Sequence, residues 1–166
     1  MIIRKSNPNG FTIAEMLLAL MIMGMLLAAV AVAFHASSLS YRHNEEMYRA
    51  MTTARAALLR ITNDIRTASA VAVTEPEGQC SMVTAAGSDI TYLYNSDDST
   101  LYLVTNDDAT DADYVLCSGV TSIVFDRATV PDDAGKIRNV QISMTVTAGS
   151  NSQTIATAAV LRKNLQ

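Results

Sequence analysis

Residues 11–34 read Phe-Thr-Ile-Ala-Glu-Met-Leu-Leu-Ala-Leu-Met-Ile-Met-Gly-Met-Leu-Leu-Ala-Ala-Val-Ala-Val-Ala-Phe, and no other stretch constrains the fold as tightly. As a helix, about 24 residues at 1.5 Å each reach roughly 36 Å, enough to cross the ~30 Å hydrocarbon core of a bilayer. The run carries one charge, Glu15. A carboxylate within a membrane span is costly unless something pairs with it, so a partner for Glu15 is required. Arg4 and Lys5 precede the run. Positive flanks are retained on the cytoplasmic side, which puts the long C-terminal part outside. The competing reading is a secretory signal cut at Ala31-Val32-Ala33. Signals of that class have an apolar core of only about 7–15 residues, and an acid inside one is a liability.

Between Gly24 and Pro76 the chain contains no Gly or Pro. Met47, Met51, Ala54, Leu58, Ile61, Ile65 and Ala68 follow one another at alternating spacings of four and three, one face of a helix. The pattern predicts a single helix from Phe11 to Ala68. Its first half is apolar all round, and its second half is amphipathic and packs on a sheet. From Ala70 onward the period changes to two and turn residues appear, which predicts strands. They are expected at Val71–Thr74, Ser81–Ala85, Asp89–Tyr94, Thr100–Val104, Tyr114–Leu116, Val120–Asp126, Asn139–Thr147 and Gln153–Leu161. Turns are expected at Asn95–Ser99, Pro131–Gly135 and Gly149–Ser152, the last closing an antiparallel hairpin. The fold class is α+β, a long N-terminal helix packed on an antiparallel β-sheet.

Residues 71–166 hold five cations against twelve acids. Nucleic-acid binding needs clustered Lys and Arg, so no nucleic-acid partner is expected. Cys80 and Cys117 both lie in this half. Two readings stand open: a disulfide, whose loop of about 37 residues would be worth roughly 4 kcal/mol in the chain-entropy model, or two separate buried thiols. Two cysteines without nearby histidines are too few for a structural zinc. The acidic segment 106–113 contains Asp107, Asp108, Asp111 and Asp113, weak candidates for calcium, which takes six to eight oxygens. The spacing fits no EF-hand, and a solvated acidic loop is the preferred reading, so no cofactor is expected. Neither a Gly-x-Ser-x-Gly elbow nor a phosphate-binding glycine loop occurs, and no catalytic constellation is visible. His35 and His43 read as interfacial or surface residues of the helix.

Gly10-Phe11-Thr12-Ile13-Ala14-Glu15-Met16-Leu17 resembles the processing site of type IV pilins and of the pseudopilins of type II secretion. The resemblance implies a prepilin peptidase/N-methyltransferase that cuts after Gly10 and methylates Phe11. It also implies an assembly role for Phe11 and Glu15, the first and fifth mature residues. The residue types suit these tasks. Gly10 lets a peptidase approach the backbone closely. Cleavage frees an α-amino group with a reference pKa of about 7.7–8.0, largely protonated. In a low dielectric such a cation is strongly attracted to a carboxylate of its own or a neighbouring subunit.

The chain then divides into a basic leader (1–10), a hydrophobic transmembrane and assembly helix (11–35), its amphipathic continuation (36–69) and an extracytoplasmic antiparallel β-sheet domain (70–166). Many major pilins carry proline where this chain has Val32, while Gly24 matches their glycine, which leans toward a minor subunit. The segments 54–68, 119–125 and 160–164 resemble GspJ- or PilW-type minor subunits. The implied protein is a non-enzymatic, single-pass subunit of the cytoplasmic (inner) membrane that later enters a pilus or pseudopilus. Its implied partners are the peptidase, other pilins or pseudopilins, an inner-membrane assembly platform and membrane lipid. The alternative is a membrane-tethered binding module for secreted cargo, a surface or sister pilins.

Overall fold

The structure, a computed structural model, describes residues 10–107, 112–131 and 133–164. The chain divides into two compact units, 1–42 and 43–166. Helix α1 (Ile13–Thr67) spans 55 residues. In the first unit its apolar side chains are exposed, Phe34 to 75% for example. The helix is long and apolar enough to cross a membrane, and its most apolar window is 0% buried.

Within the second unit α1 becomes one-sided. Ala54, Ala57, Leu58, Ile61, Thr62 and Ile65 are buried, the stripe expected from the spacing, with Met51 packed at its margin. Bounds of Phe11 and Ala68 were expected; the helix runs from Ile13 to Thr67. At the start, the hydroxyl of Thr12 accepts the amide of Glu15 at 3.2 Å, so Thr12 is the N-cap and not a helical residue. At the end, the Ser69 amide donates to the Val83 carbonyl at 2.8 Å, diverting the chain into the sheet.

Among the described residues eight strands follow, β1 (Ala70–Val71), β2 (Gln79–Val83), β3 (Asp89–Asn95), β4 (Thr100–Thr105), β5 (Tyr114–Ser118), β6 (Val120–Val130), β7 (Asp133–Ala148) and β8 (Asn151–Val160). All pairings are antiparallel. The expected strands are present, with β1 shorter, β2 and β8 beginning two residues earlier, and β5, β6 and β7 longer. Asp133 opens β7 inside the turn expected over Pro131–Gly135, its carboxylate accepting the Gly135 amide at 3.0 Å.

A single sheet was anticipated; there are two, in the order β1-β2-β3-β4-β5 and β6-β7-β8. The division falls at Gly119, which has φ +74° and bonds the Thr147 amide through its carbonyl. A Cβ there would lie 3.2 Å from the Thr147 oxygen. Only glycine adopts this conformation cheaply and permits the close approach, so the chain turns out of β5 into a new ladder. The sheets are tied by the Phe125 amide donating to the Glu77 carbonyl at 2.9 Å and by Arg127 of β6. Its guanidinium lies 3.4 Å from the Glu75 carboxylate, both side chains being nearly buried, and it also donates to the Gln79 carbonyl. One core, including Tyr92, Leu101, Phe125, Ile142, Met144 and the α1 residues Ile61 and Ile65, serves both sheets.

The disulfide reading is corrected here. Cys80 and Cys117 are free and buried. They stand on β2 and β5, with β3 and β4 between them. Three strand spacings of about 4.8 Å amount to roughly 14 Å, whereas a disulfide needs Cα atoms about 4.4–6.8 Å apart. Burial pushes the Cys80 thiol up to about 11 and raises that of Cys117.

Candidate functional site

The residues expected to carry processing and assembly are adjacent at the start of α1. Gly10 and Phe11 are exposed, and nothing lies within 4 Å of where a Gly10 side chain would be. Thr12 and Glu15 form a reciprocal pair. The Glu15 amide donates to Thr12 Oγ1 at 3.2 Å. In return, Glu15 Oε2 accepts the Thr12 amide at 2.9 Å and the Thr12 hydroxyl at 3.0 Å. This is a capping box, which satisfies backbone donors that a helix start otherwise leaves bare. The positive end of the helix dipole also favours a carboxylate there.

Sequence reasoning assigned Glu15 a terminal-amine partner and missed Thr12. The signal was present in the Thr-x-x-Glu spacing ahead of an apolar run. Both Thr12 donors converge on Oε2, and Glu15 Oε1 has no partner among the described residues.

The remaining candidates do not join this site. Cys80 and Cys117 belong to the core of the second unit. Asp107 caps β3, its carboxylate accepting the Asp89 amide at 2.7 Å. Asp113 is exposed, and Asp108 and Asp111 lie outside the described residues. Among the described residues no group of three His, Cys, Asp or Glu is placed to hold a metal ion.

The ionisable contacts of the second unit anchor the helix to the first sheet. The Tyr92 hydroxyl of β3 donates to the Asp64 carboxylate of α1. Arg60 lies over the Tyr114 ring of β5, 5.7 Å from its centre. Burial, with the Asp64 carboxylate beside it, raises the Tyr92 hydroxyl far above its ordinary range.

The chemistry at the head of α1 is therefore an accessible glycine–phenylalanine peptide followed by a capped carboxylate on an unburied apolar helix. Residues 5–31 match the family model of the prokaryotic N-terminal methylation motif. This motif is typical of type IV pilins and pseudopilins. It supports a type IV pilin-like or pseudopilin subunit, a structural role. It also implies processing by a prepilin peptidase and assembly with other pilins. With the apolar helix, it fits a protein anchored in the inner membrane. The match covers the Gly10–Phe11 step and the capping box and ends before the second unit. No curated protein matches the chain.

Proposed function

We propose that this pilin-like chain is a minor subunit of a type IV pilus or a type II secretion pseudopilus. Prepilin peptidase cuts between Gly10 and Phe11 and the new amino group of Phe11 is methylated. The N-terminus faces the cytoplasm and the β domain lies outside, until residues 11–35 carry the subunit into the filament. Glu15 then takes the terminal ammonium of its own or a neighbouring chain. The observation that carries this reading is the capping box, because it holds the carboxylate at the helix start while leaving Oε1 open. Val32, standing where many major pilins have proline, supports the minor role.

The test is the intact mass and N-terminal sequence of the mature protein. A start at methylated Phe11 is expected. A start at Met1 in an assembled, working subunit refutes the reading, and a start at Phe34 points to ordinary secretion. A second reading, a tethered binding module, draws on an open groove of about 290 Å³ between α1 and β8, walled by Leu58, Leu59 and Ile155. If cargo capture in the full chain is lost with Leu59→Lys while filament entry persists, that second reading gains.

A further inference from the structure

The apolar run of α1 ends at Phe34, and of the polar residues that follow on all sides of the helix, His35, Ser38 and Arg42 share one face. His35, Ser38, Leu39 and Arg42 line a notch of about 80 Å³. Their spacings of three, four and seven residues put them on adjacent turns of one face. Arg42 has no ion pair among the described residues, unlike Arg49, which holds Glu45 at 2.7 Å. Tyr41, beside the notch, is 73% exposed. Aromatic rings of this kind settle at the headgroup level of a bilayer.

The depth agrees. Glu15 and His35 are separated by about 20 residues, or ~30 Å of helix, the thickness of the hydrocarbon core. With the Thr12–Glu15 cap at the cytoplasmic boundary, His35 reaches the opposite boundary and Arg42 lies in the headgroup layer beyond it. The imidazole, hydroxyl and guanidinium lining this notch are hydrogen-bond donors with no side-chain acceptor among the described residues. The acceptor found at that depth is the lipid phosphodiester, and Arg binds phosphate with a planar fork of donors.

We propose that the His35–Ser38–Arg42 notch seats the phosphate of an outer-leaflet phospholipid. The seat fixes how deep the unassembled subunit sits, and the lipid must be surrendered when the helix leaves the bilayer for a filament. This inference rests on the membrane-spanning reading of α1.

The test uses the full chain, dilute in vesicles of phosphatidylethanolamine and phosphatidylglycerol, with guanidino-¹³C arginine. Arg4 and Arg42 flank the span, so Arg42→Ala is expected to remove about half of the arginine ¹³C dephasing by lipid ³¹P, while Arg49→Ala leaves it unchanged. Unchanged dephasing in Arg42→Ala overturns the proposal. Equal dephasing from inorganic phosphate added to phosphorus-free glycolipid vesicles overturns it too, because the notch would then take free phosphate. The chain has no tryptophan, so Phe34→Trp gives a single depth reporter for quenching by brominated lipids. Adding His35→Ala and Arg42→Ala is expected to shift that depth by roughly one helical turn, ~5 Å, and an unmoved reporter counts against the seat. An indole that no brominated lipid quenches removes the membrane reading itself.

Discussion

Replacing Glu75 by alanine should be the most damaging single change in the β domain outside the apolar core. The Glu75 carboxylate accepts the Ser81 amide at 2.7 Å, the Gln79 side-chain amide at 3.3 Å and the Arg127 guanidinium at 3.4 Å. Side-chain exposure is 7% for Arg127 and 12% for Glu75, so water cannot replace the lost partner. Removing one member of a buried ion pair leaves a desolvated charge and costs about 3–5 kcal/mol, out of roughly 5–15 kcal/mol for a whole domain. Here the charge left behind is Arg127, whose Nε already lacks a partner. For a unit of this size that loss corresponds to a fall in Tm of about 10–20 °C. The assay is thermal unfolding of the detergent-solubilised chain followed by near-ultraviolet circular dichroism, which reports packing around the buried Tyr92. The double variant Glu75→Leu/Arg127→Leu should be markedly more stable than Glu75→Ala, because no unpaired charge remains. A Glu75→Ala protein melting within 2–3 °C of the parent, less than about 1 kcal/mol, would refute the view that this pair joins the sheets.

At the head of α1, Glu15→Gln keeps the capping geometry, because glutamine also serves at that position, but removes the charge. It should be cleaved normally and recovered mainly from the membrane and not from the sheared filament fraction. Thr12→Val removes the hydroxyl and keeps the charge, so it should weaken the helix start, seen as faster amide exchange of residues 13–16, with a milder assembly defect. Gly119→Ala forces a side chain onto φ +74° and against the Thr147 oxygen. It should destabilise by more than about 1 kcal/mol, measured as a lower urea midpoint. Stability should fall at alkaline pH. The folded Cys80 thiol is raised from 9.0 to about 11, so its contribution is complete below pH 9 and is lost as pH rises through 11. The buried Tyr92 hydroxyl acts in the same direction above pH 10. Urea midpoints at pH 8, 9.5 and 11 should show a shallower decline in Cys80→Ala than in the parent.

The helical part of this architecture was legible because its determinants are local. The 54–58–61–65 spacing names the buried face directly, and the absence of Gly and Pro between Gly24 and Pro76 allows the length. The strands were legible through alternation, but the ends of most of them drifted, as at β2, which begins at Gln79 and not Ser81, and at β7, where the Asp133 carboxylate reaches to the Gly135 amide. The division into two sheets was not legible. It depends on a positive φ at Gly119 and on a contact between Glu75 and Arg127, partners 52 residues apart. The choice between a disulfide and two buried thiols stayed open in the sequence for the same reason. Their number and compartment say nothing of strand order, and strand order keeps them apart. At the candidate site Gly10, Phe11 and Glu15 were named by resemblance, and Thr12, whose backbone and hydroxyl hold Glu15, was passed over.

That omission changes how the carboxylate is understood. Read from sequence, Glu15 was a buried liability awaiting a terminal ammonium. In the structure it already has two donors from Thr12, both on one oxygen. On the proposed reading, cleavage between Gly10 and Phe11 touches neither residue of the capping box, so the cap can exist before processing, after processing and in the filament. On the proposed reading, the ammonium then adds a third donor at the free oxygen and displaces nothing. A subunit built this way can wait in the membrane without a partner. On that reading, gain of the ammonium contact, free of any lost intramolecular bond, favours entry into the filament. Methylation preserves the positive charge of a secondary ammonium and its two N–H donors, so it leaves this arithmetic intact.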